Sequence, residues 1–567
     1  SQLLRKSGNP SKAKALFGSK PQSSVRRSFD LEEALLAMDL GEVTKARRKF
    51  LSLARGGFRP GLCFQQIAKD YFEQKKFEKA KEFYQKALIF LPDDAKSWSN
   101  LASVYKHLGD RTQEVEALQK SFSLNPQSRS IFSNLFRALT QFGAWKKAYN
   151  LCIRSKEINI PRECLLDFSK SCIEIGDLKT ANSTLNRLIK IKYDVAEAYF
   201  LKGNLMVLLK QFSHAVENYF SALEYSPDWP EALSNLYNSK TFLCDWEERK
   251  KEIEALRRFH DSDRILGGSF ELAGLYWSEE EDARFAQFRV DKVFAETDSI
   301  RKSLKFNPST IENGMKRIGF LSSDFRNHAV GHQIVCMLEN LDREKYELFL
   351  YATSPEEDTS VRKRIEEASG NFRNLSPLTL VQKATVIHRD KLDLLIDLGG
   401  FSRGHNAKLL ALRPAPVQAH YLGYASTMGK GLVDYMIADA TVIPPSSSKF
   451  YGEKVVRMNG SFFPPGDFDG FAKRAKRKEV GLPARGIVFC AFHAAYKIEP
   501  EIWGCWMRIL KAVPESILWL KFKPADDAMK NLKAEAVRLG VSSKRIILAE
   551  DLPDRETHLS RMAVADL

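Results

Sequence analysis

Four segments between residues 316 and 500 place ionisable and small polar residues directly after a short apolar run. The apolar runs cover residues 318–321, 394–398, 417–422 and 487–492. Strands of an open α/β sheet have this pattern when the loops at their carboxyl ends build a site. We therefore expect the chemistry of this chain to lie in the loops that follow these four runs.

The loop after the first run carries a carboxylate and an imidazole four residues apart, Asp324 and His328. Such a pair can hold or pass a proton near neutral pH. His332 follows four residues later and would share a helix face with His328, an arrangement also found in metal sites. No third ligand has a recognisable spacing, so the sequence argues against a metal. Taken singly, each histidine is better explained as a structural residue.

Lys497 follows the last apolar run and precedes a predicted helix whose first turn contains Pro500. A lysine beside a helix N-terminus makes an anion site. Fixed positive charge is most effective in catalysis where negative charge grows in the transition state. By position alone, Lys497 is also explained as a surface lysine in a loop.

The loop after the third run reads LGYASTMG, residues 422–429. Its small residues Gly423, Thr427 and Gly429 let a ligand approach the backbone closely. Spacing alone favours a simple tight turn at this place.

The N-terminal half has a period of 34 residues, with large aromatics at Phe64, Trp98 and Phe132. Small residues recur at Ala46, Ala80, Ala148, Ala181 and Ala215, and glycines at Gly41, Gly109, Gly143 and Gly176. This spacing is typical of the tetratricopeptide repeat, in which an aromatic of the first helix packs over an alanine of the second. We predict about six repeats over residues 28–240, stacked into a superhelix with a concave peptide-binding face.

The inner-face position of the first helices holds Gln66, Asn100 and Asn134 in three successive repeats. A side-chain amide both donates and accepts, as the backbone of an extended peptide requires. These three residues are the predicted peptide-binding positions.

Composition and charge limit the classes of binding partner and the cellular compartment that we expect for this chain. The chain of 567 residues has 87 basic and 71 acidic residues, a net charge of +16, with one dense basic run at 473–478. Basic residues do not alternate with aromatics, which argues against a nucleic-acid partner. Eight cysteines without a CxxC pair indicate reduced thiols of a cytoplasmic protein. No apolar run is long enough to cross a membrane. The chain begins without Met and ends within an amphipathic pattern, so we expect a fragment.

Several motifs together resemble the O-linked N-acetylglucosamine transferase family, in which tetratricopeptide repeats precede a two-domain glycosyltransferase of the GT-B type. The motifs are Cys244-Asp245-Trp246, Ser322-Ser323-Asp324-Phe325 with Asn327-His328, Arg413-Pro414-Ala415-Pro416-Val417-Gln418, and Tyr496-Lys497-Ile498 with Pro500. The resemblance implies an α-helical repeat superhelix followed by two Rossmann-like domains, the second incomplete. The implied limits are 28–240 for the repeats, 241–310 for a helical linker, and 311–465 and 480–567 for the two domains.

The resemblance also implies roles for residues. It implies that Asp324, His328 and Lys497 belong to the catalytic centre and that Lys497 contacts the diphosphate of a nucleotide sugar. The implied donor-binding residues are His328, Gly423, Thr427, Gly429, His493, Tyr496 and Lys497. The implied reaction is inverting, metal-independent transfer of N-acetylglucosamine from UDP-N-acetylglucosamine to Ser or Thr of polypeptides, with no cofactor.

The sequence departs from the family pattern near the donor. Ala425 and Ser426 replace a Pro-Gly pair, His493 and Ala494 replace an Asn-Asn or Asn-Gln pair, and Asn406 replaces an arginine. Family members also continue beyond the equivalent of Leu567 into an Asp-Thr segment and a threonine pair that bind the donor, so we expect weak nucleotide binding if the chain ends there. Two alternatives stay open: a peptide-binding repeat scaffold with a degenerate transferase half, and a transferase that uses GDP-fucose.

Overall fold

A computed structural model describes residues 26–141, 143–155, 159–261, 278–304, 306, 314–402, 404–464, 475–524, 526–552 and 555–567. The chain divides into two compact units, residues 1–209 and 210–567.

The first unit consists of helices joined by short turns. They are α1 (Arg26–Asp39), α2 (Val43–Arg55), α3 (Pro60–Glu73), α4 (Phe77–Phe90), α5 (Ala95–Leu108), α6 (Arg111–Leu124), α7 (Arg129–Gln141), α8 (Trp145–Arg154), α9 (Arg162–Ile175), α10 (Leu178–Lys190) and α11 (Val195–Leu208). The repeat alanines Ala46, Ala80, Ala148 and Ala181 are fully buried, as the repeat pattern predicts. Gly109 and Gly176 end first helices of repeats with φ of 78° and 85°, a conformation that favours glycine.

The second unit begins with helices α12 (Phe212–Tyr225), α13 (Pro230–Phe242), α14 (Arg249–Asp261) and α15 (Glu279–Leu304). Ala215, the remaining repeat alanine, is fully buried on α12. Two parallel sheets follow, each with helices between its strands. In the described part of the chain no helix has the length and apolar character that a membrane span requires.

The larger sheet contains seven strands within the described residues. They are β1 (Lys316–Ser322), β2 (Tyr346–Ala352), β3 (Asn371–Asn374), β4 (Leu394–Asp397), β5 (Gln418–Tyr421), β6 (Tyr435–Asp439) and β7 (Lys454–Met458). Its helices are α16 (Ala329–Glu339), α17 (Ser360–Glu367), α18 (Leu380–Arg389) and α19 (Ala407–Ala411). The strands are all parallel, in the order β3-β2-β1-β4-β5-β6-β7.

The order of this sheet reverses between β1 and β4, which pair through Ile318 with Leu394 and Leu321 with Asp397. In open α/β sheets, the loops after two such strands leave in opposite directions and open a crevice at the carboxyl end. The topology therefore places the loops after β1 and β4 on the two sides of one crevice.

The smaller sheet contains β8 (Val488–Ala491), β9 (Ile517–Leu520) and β10 (Ile546–Leu548), all parallel, in the order β10-β9-β8. Its helices are α20 (Pro500–Ala512), α21 (Asp526–Arg538) and α22 (Arg555–Met562). Strand β8 lies where the apolar run 487–492 predicts it. The α-helical repeats followed by an α/β region confirm the predicted fold class, whereas the exact domain limits stay a prediction.

Candidate active site

The loop after β1 carries Asp324 into the crevice between β1 and β4. Asp324 is only 6% exposed, and its backbone N–H donates to Ser322 Oγ at 2.9 Å. Its Oδ1 accepts from Arg326 Nη2 at 3.1 Å and lies 3.6 Å from His328 Nδ1. No hydrogen bond within the described residues uses Oδ2. The structure thus brings Asp324 and His328 together, as their spacing predicts, and leaves one carboxylate oxygen available.

His328 is the N-cap of α16. Its Nδ1 accepts from the backbone N–H of Val330 at 3.3 Å. A neutral imidazole that accepts at Nδ1 carries its proton at Nε2. Since the side chain is 40% exposed, the neutral form presents Nε2 as a hydrogen-bond donor to a ligand.

The turn between Asp324 and α16 is held by close backbone packing. A Cβ at Gly331 would overlap the carbonyl oxygens of Arg326 and Asp324, so only glycine fits there. The fully buried Arg362 donates from Nη1 to the carbonyl oxygen of Phe325 at 2.8 Å. Both contacts fix the direction in which Asp324 enters the crevice.

Buried polar atoms without a hydrogen-bond partner gather at the carboxyl end of the larger sheet. Among the described residues they include Ser323 Oγ, Thr353 Oγ1, Ser354 Oγ, Asp397 Oδ1 and Asn406 Nδ2. An unsatisfied buried polar group costs about 1–3 kcal/mol, so these atoms are candidates to bind a ligand or water. We take this cluster, together with Asp324 and His328, as the polar half of a ligand site.

A buried histidine–aspartate pair joins the end of β4 to the loop after β5. His420 Nδ1 lies 3.2 Å from Asp397 Oδ2, and His420 Nε2 lies 2.7 Å from the carbonyl oxygen of Tyr424. The same Asp397 oxygen accepts from the backbone N–H of Gly400 at 2.7 Å. The loop at 422–429 is therefore anchored to the strand that borders the crevice.

Two further carboxylates hold this loop. Glu453 accepts from the Thr427 hydroxyl at 2.6 Å and from the Met428 N–H at 2.5 Å. The Ser426 hydroxyl donates to Asp282 on α15. Burial raises the pKa of both Glu453 and Asp282, and the hydroxyl hydrogen bonds oppose that rise. Each carboxylate is therefore easier to protonate than an exposed one.

The predicted donor-binding residues of this loop are packed inside the protein. Thr427 is 3% exposed, and its oxygen also accepts from the Gly429 N–H at 3.0 Å. A Cβ at Gly423 would overlap the Leu398 carbonyl oxygen, and one at Gly429 would meet Val290 at 2.9 Å. These three residues shape the loop, and their direct contact with a donor stays a prediction.

Lys497 lies on a short 3₁₀ turn, Ala495–Lys497, between β8 and α20. Its side chain is exposed and has no hydrogen bond or ion pair within the described part of the chain. Glu499, the N-cap of α20, forms its ion pair with Arg249 instead. Because that carboxylate is already bound, the charge of Lys497 stays available beside the helix N-terminus.

The segment between α13 and α14 supports this turn from three sides. Phe242 contacts the Tyr496 ring with centroids 4.9 Å apart, Cys244 Sγ donates to the Ala495 carbonyl at 3.6 Å, and Arg249 binds Glu499. Burial raises the pKa of Cys244 to about 12, so it remains a thiol. The Cys-Asp-Trp motif thus belongs to the support of the lysine.

The remaining predicted donor-binding residues flank Lys497. Tyr496 is half-buried against Phe242. His493 is half-buried, with Nδ1 3.2 Å from the Ala494 carbonyl oxygen and its ring 6.0 Å from that of Trp506. Within the described residues no hydrogen bond or ion pair joins Asp324 or His328 to Lys497. The same residues contain no cluster of three metal-ligating side chains.

The predicted peptide-binding residues lie on the first helices of three repeats. Gln66 on α3 is half-buried, whereas Asn100 on α5 and Asn134 on α7 are exposed. Peptide binding by these residues stays a prediction.

Sequence reasoning missed the residues that support the site from a distance. Glu453, Asp282 and the Arg249–Glu499 pair lie in ordinary charged surroundings along the chain. No spacing rule connects them to the loops they hold. The one local signal is an acidic residue close before an apolar pair, as with Glu453 before Val455 and Val456.

The family model for glycosyl transferase family 41 matches residues 278–480 and 472–567, more than half of the chain. The chain belongs to glycosyl transferase family 41. A tetratricopeptide repeat model also matches residues 95–128, which confirms the repeat pattern. As a family 41 member, the chain carries the crevice residues of the larger sheet and Lys497 within the matched region.

Relatives of this family 41 chain are large. A "probable UDP-N-acetylglucosamine--peptide N-acetylglucosaminyltransferase SEC" of Arabidopsis thaliana is 30% identical, over 57% of this chain and 35% of its own. The "UDP-N-acetylglucosamine--peptide N-acetylglucosaminyltransferase" of Caenorhabditis elegans is 24% identical, over 57% of this chain and 39% of its own. The chain therefore spans little more than a third of the length of these curated relatives. A mutant O-GlcNAc transferase structure from Thermobaculum terrenum covers 88% of this chain and 76% of its own, with 20% identity and a TM-score of 0.45.

Proposed function

We propose that this chain transfers N-acetylglucosamine from UDP-N-acetylglucosamine to Ser or Thr hydroxyls of polypeptides in the cytoplasm. The observation that carries the proposal is the pairing of buried Asp324 with half-exposed His328 at the crevice of a family 41 chain. The names of the curated relatives support the donor and the polypeptide acceptor. The tetratricopeptide repeats support an extended polypeptide as the substrate.

The reaction is a single displacement. The acceptor oxygen forms a bond to the anomeric carbon, the bond from that carbon to the diphosphate breaks, and the electron pair leaves with UDP. Lys497 and the N-terminus of α20 stabilise the charge that grows on the diphosphate. His328 Nε2 donates a hydrogen bond to a substrate oxygen, while Asp324 Oδ2 is the side-chain oxygen left to receive the acceptor proton.

A single displacement inverts the configuration at the anomeric carbon, so inversion is part of the proposal. Independence of a metal is part of it too. A lysine ammonium and a helix N-terminus can supply the positive charge that many nucleotide-sugar enzymes take from a divalent cation.

A peptide-binding scaffold without transfer is the second candidate. The observation in its favour is the loop at 422–429, where the hydroxyls of Ser426 and Thr427 are bound to Asp282 and Glu453. Such a loop has fewer hydroxyl groups available to form hydrogen bonds with a sugar.

Calorimetric titration with UDP-N-acetylglucosamine, GDP-fucose and UDP-glucose separates these candidates. Mass spectrometry of a serine-containing peptide incubated with each donor then measures transfer. Binding and transfer with UDP-N-acetylglucosamine alone support the proposal. Transfer from GDP-fucose would show that GDP-fucose is the donor. Peptide binding without binding of any of the three donors would favour the scaffold.

A further inference from the structure

An open cavity of about 670 Å³ lies in the first unit against α7, α9 and α10. Four arginines line it, Arg129 and Arg137 from α7, Arg162 from α9 and Arg187 from α10, against one carboxylate, Glu163. We call this cavity the arginine pocket. Its volume is in the range of binding pockets, which is about 300–1,000 Å³.

The charge of the pocket is not neutralised by its surroundings. Within the described residues, none of the four arginines forms an ion pair with a carboxylate. The Glu163 carboxylate instead accepts from the Ser133 hydroxyl at 3.4 Å. Like charges around one concave surface focus a positive potential there. An anionic ligand removes this repulsion when it binds.

Two of the guanidinium groups are already oriented. Arg162 lies over the ring of Tyr193, 5.2 Å from its centroid, and Arg187 donates to Asn159 Oδ1 at 3.1 Å. A planar guanidinium binds carboxylates and phosphates through paired hydrogen bonds. Side chains held in place before binding lose less conformational freedom on binding. The pocket is therefore suited to oxyanions.

A second, smaller cavity of about 70 Å³ shares two lining residues with the pocket, Asn134 and Arg137. Lys106 of α5 and Glu114 of α6 also line this smaller cavity. The Asn134 amide can pair with a peptide backbone. Among the described residues that line the two cavities, none is aromatic, so the stacking platforms typical of single-stranded nucleic acid sites are missing there.

We propose that the arginine pocket binds an acidic segment of a polypeptide, with Asn134 on its backbone and the arginines on its carboxylates or phosphates. The inference deepens the proposed function, because the polypeptide is the acceptor of that transfer. It selects acceptors that carry acidic residues or phosphoserine along the segment lying on the repeats.

Fluorescence anisotropy tests this with the full chain and no sugar donor. Four labelled probes of equal length are compared: a peptide with a run of glutamates, the same peptide with phosphoserines, the same peptide with glutamines, and a single-stranded RNA. We expect the glutamate or the phosphoserine peptide to bind at least about tenfold more tightly than the glutamine peptide. Whichever of these two peptides binds more tightly identifies the preferred anion, carboxylate or phosphate. Equal binding of all three peptides, or tighter binding of the RNA, would overturn the proposal.

The double variant Arg137→Gln/Arg162→Gln should weaken the binding of the acidic peptide by about tenfold or more and leave the glutamine peptide unchanged. The matched control is Arg48→Gln/Lys120→Gln, which removes the same charge from exposed positions on α2 and α6, away from the pocket. Loss of binding in the control to the same degree would show that net charge alone is responsible, which overturns the pocket. Unaltered helical circular dichroism verifies that the variants are folded.

The proposed function and the pocket fail separately. Preferential binding of acidic peptides by a chain that transfers no sugar would refute the transfer and support the pocket. Transfer of sugar to acidic and neutral peptides with equal kcat/KM and equal affinity would support the transfer and refute the pocket.

Discussion

His420 and Asp397 form a fully buried pair in which Nδ1 of the imidazole lies 3.2 Å from Oδ2 of the carboxylate. Nε2 must donate to the Tyr424 carbonyl oxygen 2.7 Å away, because a carbonyl only accepts. Nδ1 faces the carboxylate of Asp397. The pair fixes the loop after β5 to the end of β4.

Removing one member of this pair should cost more than removing both. His420→Ala removes the imidazole from the buried Asp397 carboxylate and from the Tyr424 carbonyl oxygen, and we expect it to lower the free energy of unfolding by about 3–5 kcal/mol. The double variant Asp397→Asn/His420→Ala should lose less than the sum of its single changes, Asp397→Asn and His420→Ala. Urea unfolding of the four proteins measures this cycle. Additivity within about 0.5 kcal/mol would show that the two residues are not coupled.

His328 has two separable roles, helix cap and ligand donor. Asparagine is a good N-cap, so His328→Asn should keep the free energy of unfolding close to that of the unsubstituted chain, while His328→Ala should lose about 1 kcal/mol. Both variants lose Nε2 and should lose most of the sugar transfer. Urea unfolding and a transfer assay distinguish the roles. An active asparagine variant would reduce His328 to a cap.

Lys497→Ala should lower kcat/KM for transfer by about 10²–10³-fold, because the diphosphate loses its nearest fixed charge. Binding of peptide to the repeats should stay the same. Lys533→Ala, which removes an exposed lysine from α21 in the same half of the unit, is the control. Equal turnover of the two variants would show that Lys497 has no role in transfer.

Asp324→Asn should slow transfer by at least about 100-fold while the dissociation constant of the donor changes little, since the carboxylate receives a proton only during the reaction. Single-turnover rates and calorimetry separate the two quantities. Asp358→Asn, at an exposed carboxylate paired with Lys363, serves as the control. A larger effect on donor binding than on the rate would mean that Asp324 only shapes the pocket.

Glu453 should make stability depend on pH. Burial raises its folded-state pKa above the usual 4.5, so its contribution to stability is present below that value and is lost as the pH rises through the folded pKa. Glu453→Gln removes this titration. Relative to the unsubstituted chain, the variant should gain stability above pH 4.5, by at most about 1.4 kcal/mol for each pH unit in that window.

Urea unfolding at several pH values between 4.5 and 7.5 measures this difference. Glu344→Gln, at an exposed glutamate, is the matched control. A stability difference for Glu453→Gln that stays constant with pH would contradict the buried environment of that carboxylate.

The repeats, the strands and the Asp324–His328 pair could be predicted from the sequence because each depends on a local pattern. The repeat alanines are spaced by one helix pair, and the strands are apolar runs covered by helices, so period and run length are sufficient to predict them. Asp324 and His328 are also local, because four residues and one turn bring them within 3.6 Å.

The sequence by itself therefore determined the repeat array, the order of α/β elements and the family, and it named the candidate site residues. Only the tertiary structure decided which distant groups hold the loops of the candidate site in place. Asp397 and His420 are 23 residues apart, Thr427 and Glu453 are 26 apart, and Arg249 and Glu499 are 250 apart. Such pairs form because sheet order and burial bring distant charges together, and burial makes an unpaired charge too costly to leave.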